Sequence, residues 1–209
     1  MRTCTGSSSP EHFMRVALIA LALTAATAAA VVPRDVVQRT SDQVIAVLGD
    51  QSLSREVRRK RVEDVVIANV DFPTVSRLVL ARNWSRFSEP QQEEFMREFR
   101  AHLAATYGRR LDEYRNETVS ILGDRRESNG DWTVKSKILR GDGGQNDILV
   151  DYRLREVDGE WKIIDFIIEQ VSLVANFRAQ FQDMVARGGP EHVLQVLREK
   201  TAKGEAIAS

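Results

Sequence analysis

Residues 165–184 read DFIIEQVSLVANFRAQFQDM and predict a strand that passes directly into a helix. No glycine or proline separates the two elements. The helix would carry apolar side chains on one face, namely Leu173, Phe177, Phe181 and Met184. The strand is apolar at both odd and even positions, and an antiparallel strand of that kind must be covered on both faces. The stretch therefore predicts a sheet packed against helices, around either a closed core or a cavity that holds something other than protein.

The rest of the chain shows helical periodicity at both ends and strand periodicity in between. Helical segments are predicted at 35–49, 54–70, 71–79, 88–111, 171–187 and 190–200. Between them, four segments have a period of two, and a tight Asp158–Gly159 turn joins the last two. This order predicts an α+β fold, with a curved four-stranded antiparallel sheet and helices packed on it. No linker or repeat interrupts it, so residues 31–209 are expected to form a single domain.

Residues 1–30 are predicted to be a signal peptide. The segment MRVALIALALTAATAAA at 14–30 has a basic start, an apolar run and a small-residue end that fits the A-x-A rule. The only cysteine, Cys4, precedes that run, so the mature chain would contain no disulfide, thiol nucleophile or cysteine metal site. A formal net charge of zero gives no global attraction for nucleic acid. Export without disulfides predicts a bacterial periplasmic protein.

A search for catalytic motifs yields one candidate pair. There is no G-x-S-x-G motif, and neither His102 nor His192 is followed three or four residues later by His, Asp or Glu. Asp165 lies on an apolar strand, close to Tyr152 in the predicted sheet, and an acid and a tyrosine so placed would suit a cone-shaped α+β isomerase. The simpler interpretation is that Asp165 faces an arginine such as Arg153 or the end of the sheet.

The segment SREVRRKRVED at 54–64 concentrates five basic residues on one predicted helix. Three acidic residues offset them, which is typical of a solvated helix face. The alternative is a docking patch for an anionic membrane or an acidic partner, as in a protein that acts only through interactions.

Three blocks of sequence resemble the MlaC family, also called toluene-tolerance periplasmic auxiliary proteins. They are DFPTVSRLVLARNWSRFSEPQQEEFMREFRAHLAATYGRRL at 71–111, DYRLREVDGEWKIIDFIIEQVSLVANFRAQF at 151–181 and GGPEHVLQVLREK at 188–200. Together with the segments between them, they extend the resemblance over about residues 35–200. The chain departs from the family pattern at Gln170, where a glycine is common.

The resemblance implies a nuclear-transport-factor-like cone whose apolar cavity takes the acyl chains of a glycerophospholipid. It implies a monomeric periplasmic shuttle with no enzymatic step and no cofactor, its phospholipid being cargo. The implied partners are an inner-membrane ABC transporter with a lipid-binding ring and an outer-membrane lipoprotein–porin complex, in a system that maintains outer-membrane lipid asymmetry. The alternatives are a carrier of another envelope lipid of the hopanoid type, or an isomerase that uses Asp165 and Tyr152.

Face periodicity then selects the side chains expected to line the lipid cavity. They come from the long helix, from one face of the sheet and from the helix that follows it. The predicted lining is Phe95, Phe99, Leu103, Tyr107, Val134, Ile138, Val150, Tyr152, Ile164, Phe166, Val174, Phe177 and Phe181.

Overall fold

Polar side chains cap the starts of four of the helices described below, at Ser54, Asp71, Ser88 and Ser172. The computed structural model describes residues 32–108, 111, 114, 116–140 and 147–207, so the predicted signal peptide lies outside the described residues. Asp71 accepts from the Thr74 amide at 3.1 Å, and Gln91 accepts from the Ser88 amide at 3.1 Å. The helices are α1 (Pro33–Gly49), α2 (Arg55–Asn69), α3 (Phe72–Leu80), α4 (Glu89–Tyr107) and α5 (Leu173–Lys203).

The sheet has five antiparallel strands in the order β1-β2-β3-β4-β5. They are β1 (Thr118–Arg126), β2 (Trp132–Leu139), β3 (Ile148–Val157), β4 (Glu160–Ile168) and β5 (Val171–Ser172). The sheet thus has one strand more than the four predicted. The sequence did not predict β5, because a strand of two residues is too short to show alternation. The predicted two-residue turn between β3 and β4 is confirmed, since Asp158 and Gly159 both have positive φ.

A register shift explains why β4 is apolar at both odd and even positions. Ile163 pairs with Leu154 and Phe166 pairs with Tyr152, whereas Ile164 has no partner on β3. The extra residue brings Ile163 and Phe166 onto the same face of the sheet despite their odd and even numbers. The strict alternation assumed from the sequence therefore fails at Ile164. The apolar residues of β4 do not have to be divided between two covered faces.

A cluster of phenylalanine rings joins α4 to α5, and α5 packs against β4. The cluster contains Phe87, Phe95, Phe99, Phe177 and Phe181, with neighbouring ring centroids 5.0 to 5.9 Å apart. These edge-to-face and offset pairs hold α4 against α5. No helix in the described part of the chain has the length and apolar character needed to cross a membrane.

The last helix bends sharply at the predicted glycine pair. Gly189 has φ 71° and ψ −168°, and Pro190 follows it at the start of the second segment of α5. The prediction of two helical segments separated by Gly188 and Gly189 is confirmed. The bend folds the end of the chain back onto the core, where Leu194 and Leu197 are fully buried.

Candidate functional site

A cavity of about 630 Å³ lies between the edge of the sheet and the helices. Its walls come from α2, α3, α4, β4 and the start of α5, together with Leu111. The apolar side chains of the wall include Val62, Val66, Ile67, Val70, Phe72, Val75, Val79, Phe99, Leu103, Ile164, Phe166, Leu173, Val174 and Phe177. Its volume falls within the range of about 300–1,000 Å³ that is usual for small-molecule sites.

The deep part of the cavity is apolar with one exception. Val79 is fully buried, and Phe99 and Ile164 are each 1% exposed. The exception is Asp165, which is 3% exposed and also reaches the cavity wall. An apolar interior of this kind favours hydrocarbon over water as its occupant.

The carboxylate of Asp165 holds the start of α5. It accepts hydrogen bonds from the Ser172 hydroxyl at 2.6 Å and from the Val174 amide at 3.0 Å. Arg153 is the partner of Asp165 across the sheet, as the sequence suggested. The hydrogen bonds to the start of α5 satisfy a backbone donor that the first turn of a helix leaves free. Asp165 therefore stabilises the junction between β5 and α5.

Tyr152 does not form an acid–tyrosine pair with Asp165. Its hydroxyl bonds to the side chains of Ser41 and Ser136, and burial raises the pKa of Tyr152. On β4, its partner across the sheet is Phe166, so Tyr152 and Asp165 project from alternate positions. The two groups have separate hydrogen-bond networks, which disfavours the proton-transfer arrangement considered from the sequence.

Charged side chains lie at the opening of the cavity, and we call them the rim: Glu56, Arg59, Lys60, Glu63 and Arg100. Arg100 belongs to α4, and the other four belong to α2. Arg100 and Glu63 form an ion pair across these helices at 3.5 Å. The cavity is thus divided into an apolar interior and a charged mouth.

The structure brings seven of the thirteen predicted lining residues to the cavity wall. They are Phe99, Leu103, Tyr107, Ile164, Phe166, Val174 and Phe177. Whether these side chains contact lipid stays a prediction.

The other six predicted residues are placed elsewhere. Phe95 and Phe181 are fully buried inside the phenylalanine cluster. Val134 and Ile138 lie on β2, and Val150 and Tyr152 lie on β3. Tyr152 pairs with Phe166 of the cavity wall, but none of the four lines the cavity itself. The reason is that α1 packs over this part of the sheet, as the bond between Ser41 and Tyr152 illustrates. Sequence periodicity could not tell which strands a helix covers.

Sequence reasoning missed the contribution of α2 and α3 to the cavity. Val62, Val66 and Val70 were recognisable as the inward stripe of a helix, and Val75 and Val79 continue it on α3. The stripe predicts burial only, and it does not distinguish a cavity wall from a closed core.

His102 is buried beneath α5 without a catalytic setting. Its side chain is fully buried, its Nδ1 lies 3.5 Å from the Thr201 hydroxyl, and burial lowers its pKa. Its Nε2 has no hydrogen-bond partner among the residues that the structure describes. Within that same part of the chain, no three His, Cys, Asp or Glu side chains converge as metal ligands.

Known proteins resemble this chain in both sequence and fold. The sequence model of the MlaC protein family matches residues 38–199. The toluene tolerance protein ttg2D of Pseudomonas putida is 28% identical over 171 residues, which are 78% of this chain and 77% of that protein. The structure of a phospholipid-binding protein from Ralstonia solanacearum, determined in complex with a phospholipid, superimposes with a TM-score of 0.73 and 26% identity. That match covers 82% of this chain and 97% of the other.

Proposed function

The chain belongs to the MlaC family, and from this membership we propose that it is a periplasmic carrier of glycerophospholipid. The acyl chains would occupy the cavity between α2, α4 and β4, and the headgroup would lie at the rim. In this proposal residues 1–30 are a signal peptide that directs export, and residues 31–209 form the single lipid-binding domain.

The observation that carries the proposal is the division of the cavity into an apolar interior and a charged mouth. A glycerophospholipid has the same division between its chains and its headgroup. Each buried methylene contributes about 0.8 kcal/mol, so exposing two chains of roughly fifteen methylenes each costs on the order of 20 kcal/mol. A lipid therefore needs a closed apolar container to cross water. The similar protein from Ralstonia solanacearum, whose structure contains a phospholipid, supports this use of the fold.

We propose that transport involves no chemical step and no cofactor. The separate hydrogen-bond networks of Asp165 and Tyr152 support this view. In the same proposal the protein exchanges lipid with an inner-membrane ABC transporter that has a lipid-binding ring and with an outer-membrane lipoprotein–porin complex. Such exchange would maintain the lipid asymmetry of the outer membrane.

Transfer of fluorescent phospholipid between donor and acceptor vesicles tests the carrier function. The protein should accelerate transfer in proportion to its concentration, because each molecule carries lipid through water. Tyr152→Phe should transfer lipid as the unmodified protein does, since the hydroxyl has no part in holding acyl chains. The proposal fails if the folded protein does not accelerate transfer. A protein that carries a hopanoid but not phospholipid would remain a carrier with a different cargo.

A further inference from the structure

The charges at the rim are unequal in a way that suits an anion. Its three cations outnumber its two carboxylates, and all five side chains are wholly or partly exposed, whereas the deep wall is buried. Lys60 also pairs with Asp64, which lies outside the cavity lining. A ligand whose apolar part fills the interior would place its polar end among these groups.

The ion pair between Arg100 and Glu63 is of a kind that a phosphate can displace. The closest nitrogen and oxygen are 3.5 Å apart, and the two side chains are 43% and 31% exposed. Exposed pairs of this length contribute little to stability. A guanidinium binds a phosphate with two parallel hydrogen bonds, which is a stronger arrangement than a single long contact with a carboxylate.

We propose that Arg100, together with Arg59 and Lys60, binds the phosphodiester of the lipid, and that Glu63 competes with it for Arg100. This inference rests on the proposed function and adds the residues that select lipids carrying a phosphate. Without a ligand, Glu63 neutralises Arg100. With a lipid in the cavity, the phosphodiester takes the place of that carboxylate.

Two substitutions at this ion pair should act in opposite directions. Arg100→Gln removes the guanidinium that would bind the phosphate, and it should weaken phospholipid binding by roughly threefold to tenfold. Glu63→Gln removes the competitor and should strengthen binding. If the pair only held α2 against α4, both substitutions would break the same contact and shift binding in the same direction.

Soluble short-chain lipids provide the probe, because they avoid differences between vesicle surfaces. Calorimetric titration of delipidated protein should compare dioctanoyl phosphatidylglycerol with dioctanoylglycerol, which has the same chains and no phosphate. We expect the unmodified protein to prefer the phosphatidylglycerol, Arg100→Gln to lose that preference, and Glu63→Gln to increase it. Added salt should reduce the preference, since the rim is exposed. Arg97→Gln is the matched control, because Arg97 lies on α4 with a 67% exposed side chain outside the cavity lining.

Each outcome has a distinct meaning. Equal affinity for the two lipids in the unmodified protein overturns the role of the rim and leaves the carrier function intact. Binding of neither lipid overturns the proposed function and this inference together. Parallel changes in Arg100→Gln and Glu63→Gln also overturn the inference. Inorganic phosphate at millimolar concentration should leave the preference for phosphatidylglycerol unchanged. Loss of this preference in the presence of inorganic phosphate would assign the rim to free phosphate instead of a lipid headgroup.

Discussion

Replacing Ala104 with tryptophan should exclude lipid from the cavity without unfolding the protein. Ala104 is a half-buried residue on α4 and part of the cavity wall, so a larger side chain can extend into the cavity. If the indole ring displaces roughly three methylenes of lipid, at about 0.8 kcal/mol each, binding weakens by about 2.4 kcal/mol, or close to sixtyfold. The lower helix propensity of tryptophan costs only a few tenths of a kcal/mol, about the effect of an ordinary surface substitution.

The assay for Ala104→Trp measures phospholipid phosphate per protein after purification from the periplasm, alongside the thermal unfolding curve. Arg97→Trp introduces the same ring at an exposed position of the same helix and should keep its lipid. The reasoning is refuted if Ala104→Trp is folded and retains the lipid content and affinity of the unmodified protein. It is also refuted if both tryptophan variants lose lipid equally.

Three further predictions concern stability. Burial lowers the pKa of His102, so its neutral form is favoured in the folded protein, while the unfolded chain protonates it below about pH 6.5. The free energy of unfolding should therefore fall as the pH drops from about 7 to about 5, and His102→Leu should reduce that fall in denaturant titrations. Gln170 has φ 67° in the turn before β5, so Gln170→Gly should raise the melting temperature, through a gain of up to about 1 kcal/mol. Gly188→Ala should lower it, because the added Cβ would lie 2.6 Å from the Cβ of His192.

One experimental result would contradict each of the three stability predictions. An unchanged pH dependence in His102→Leu would mean that other groups account for the loss of stability in acid. A lower melting temperature in Gln170→Gly would show that the side chain makes contacts worth more than the relief of backbone strain. Full stability in Gly188→Ala would show that the bend in α5 can shift to accept a methyl group.

Local signals in the sequence predicted the elements of the fold. Asp71 and Ser88 marked helix starts, and Asp158–Gly159 marked a hairpin, because each of these motifs depends on only a few neighbouring residues. The register shift at Ile164 and the short strand β5 were not predictable, since both depend on pairing with distant segments.

The candidate site was predictable only in part for a related reason. Leu103 and Phe177 were assigned from the apolar faces of α4 and α5, and both line the cavity. Val134 and Val150 have equally apolar patterns, yet the structure places them away from the cavity. The difference arises from which helix packs over each strand, and periodicity within one element contains no information about that packing.

Native mass spectrometry of the protein, produced with its N-terminal segment in a bacterial periplasm, tests the central claim most directly. The proposal of a phospholipid carrier predicts a main species heavier than the processed chain by the mass of one phospholipid, which solvent extraction should release and identify. A folded protein that carries no lipid under gentle conditions would contradict the claim.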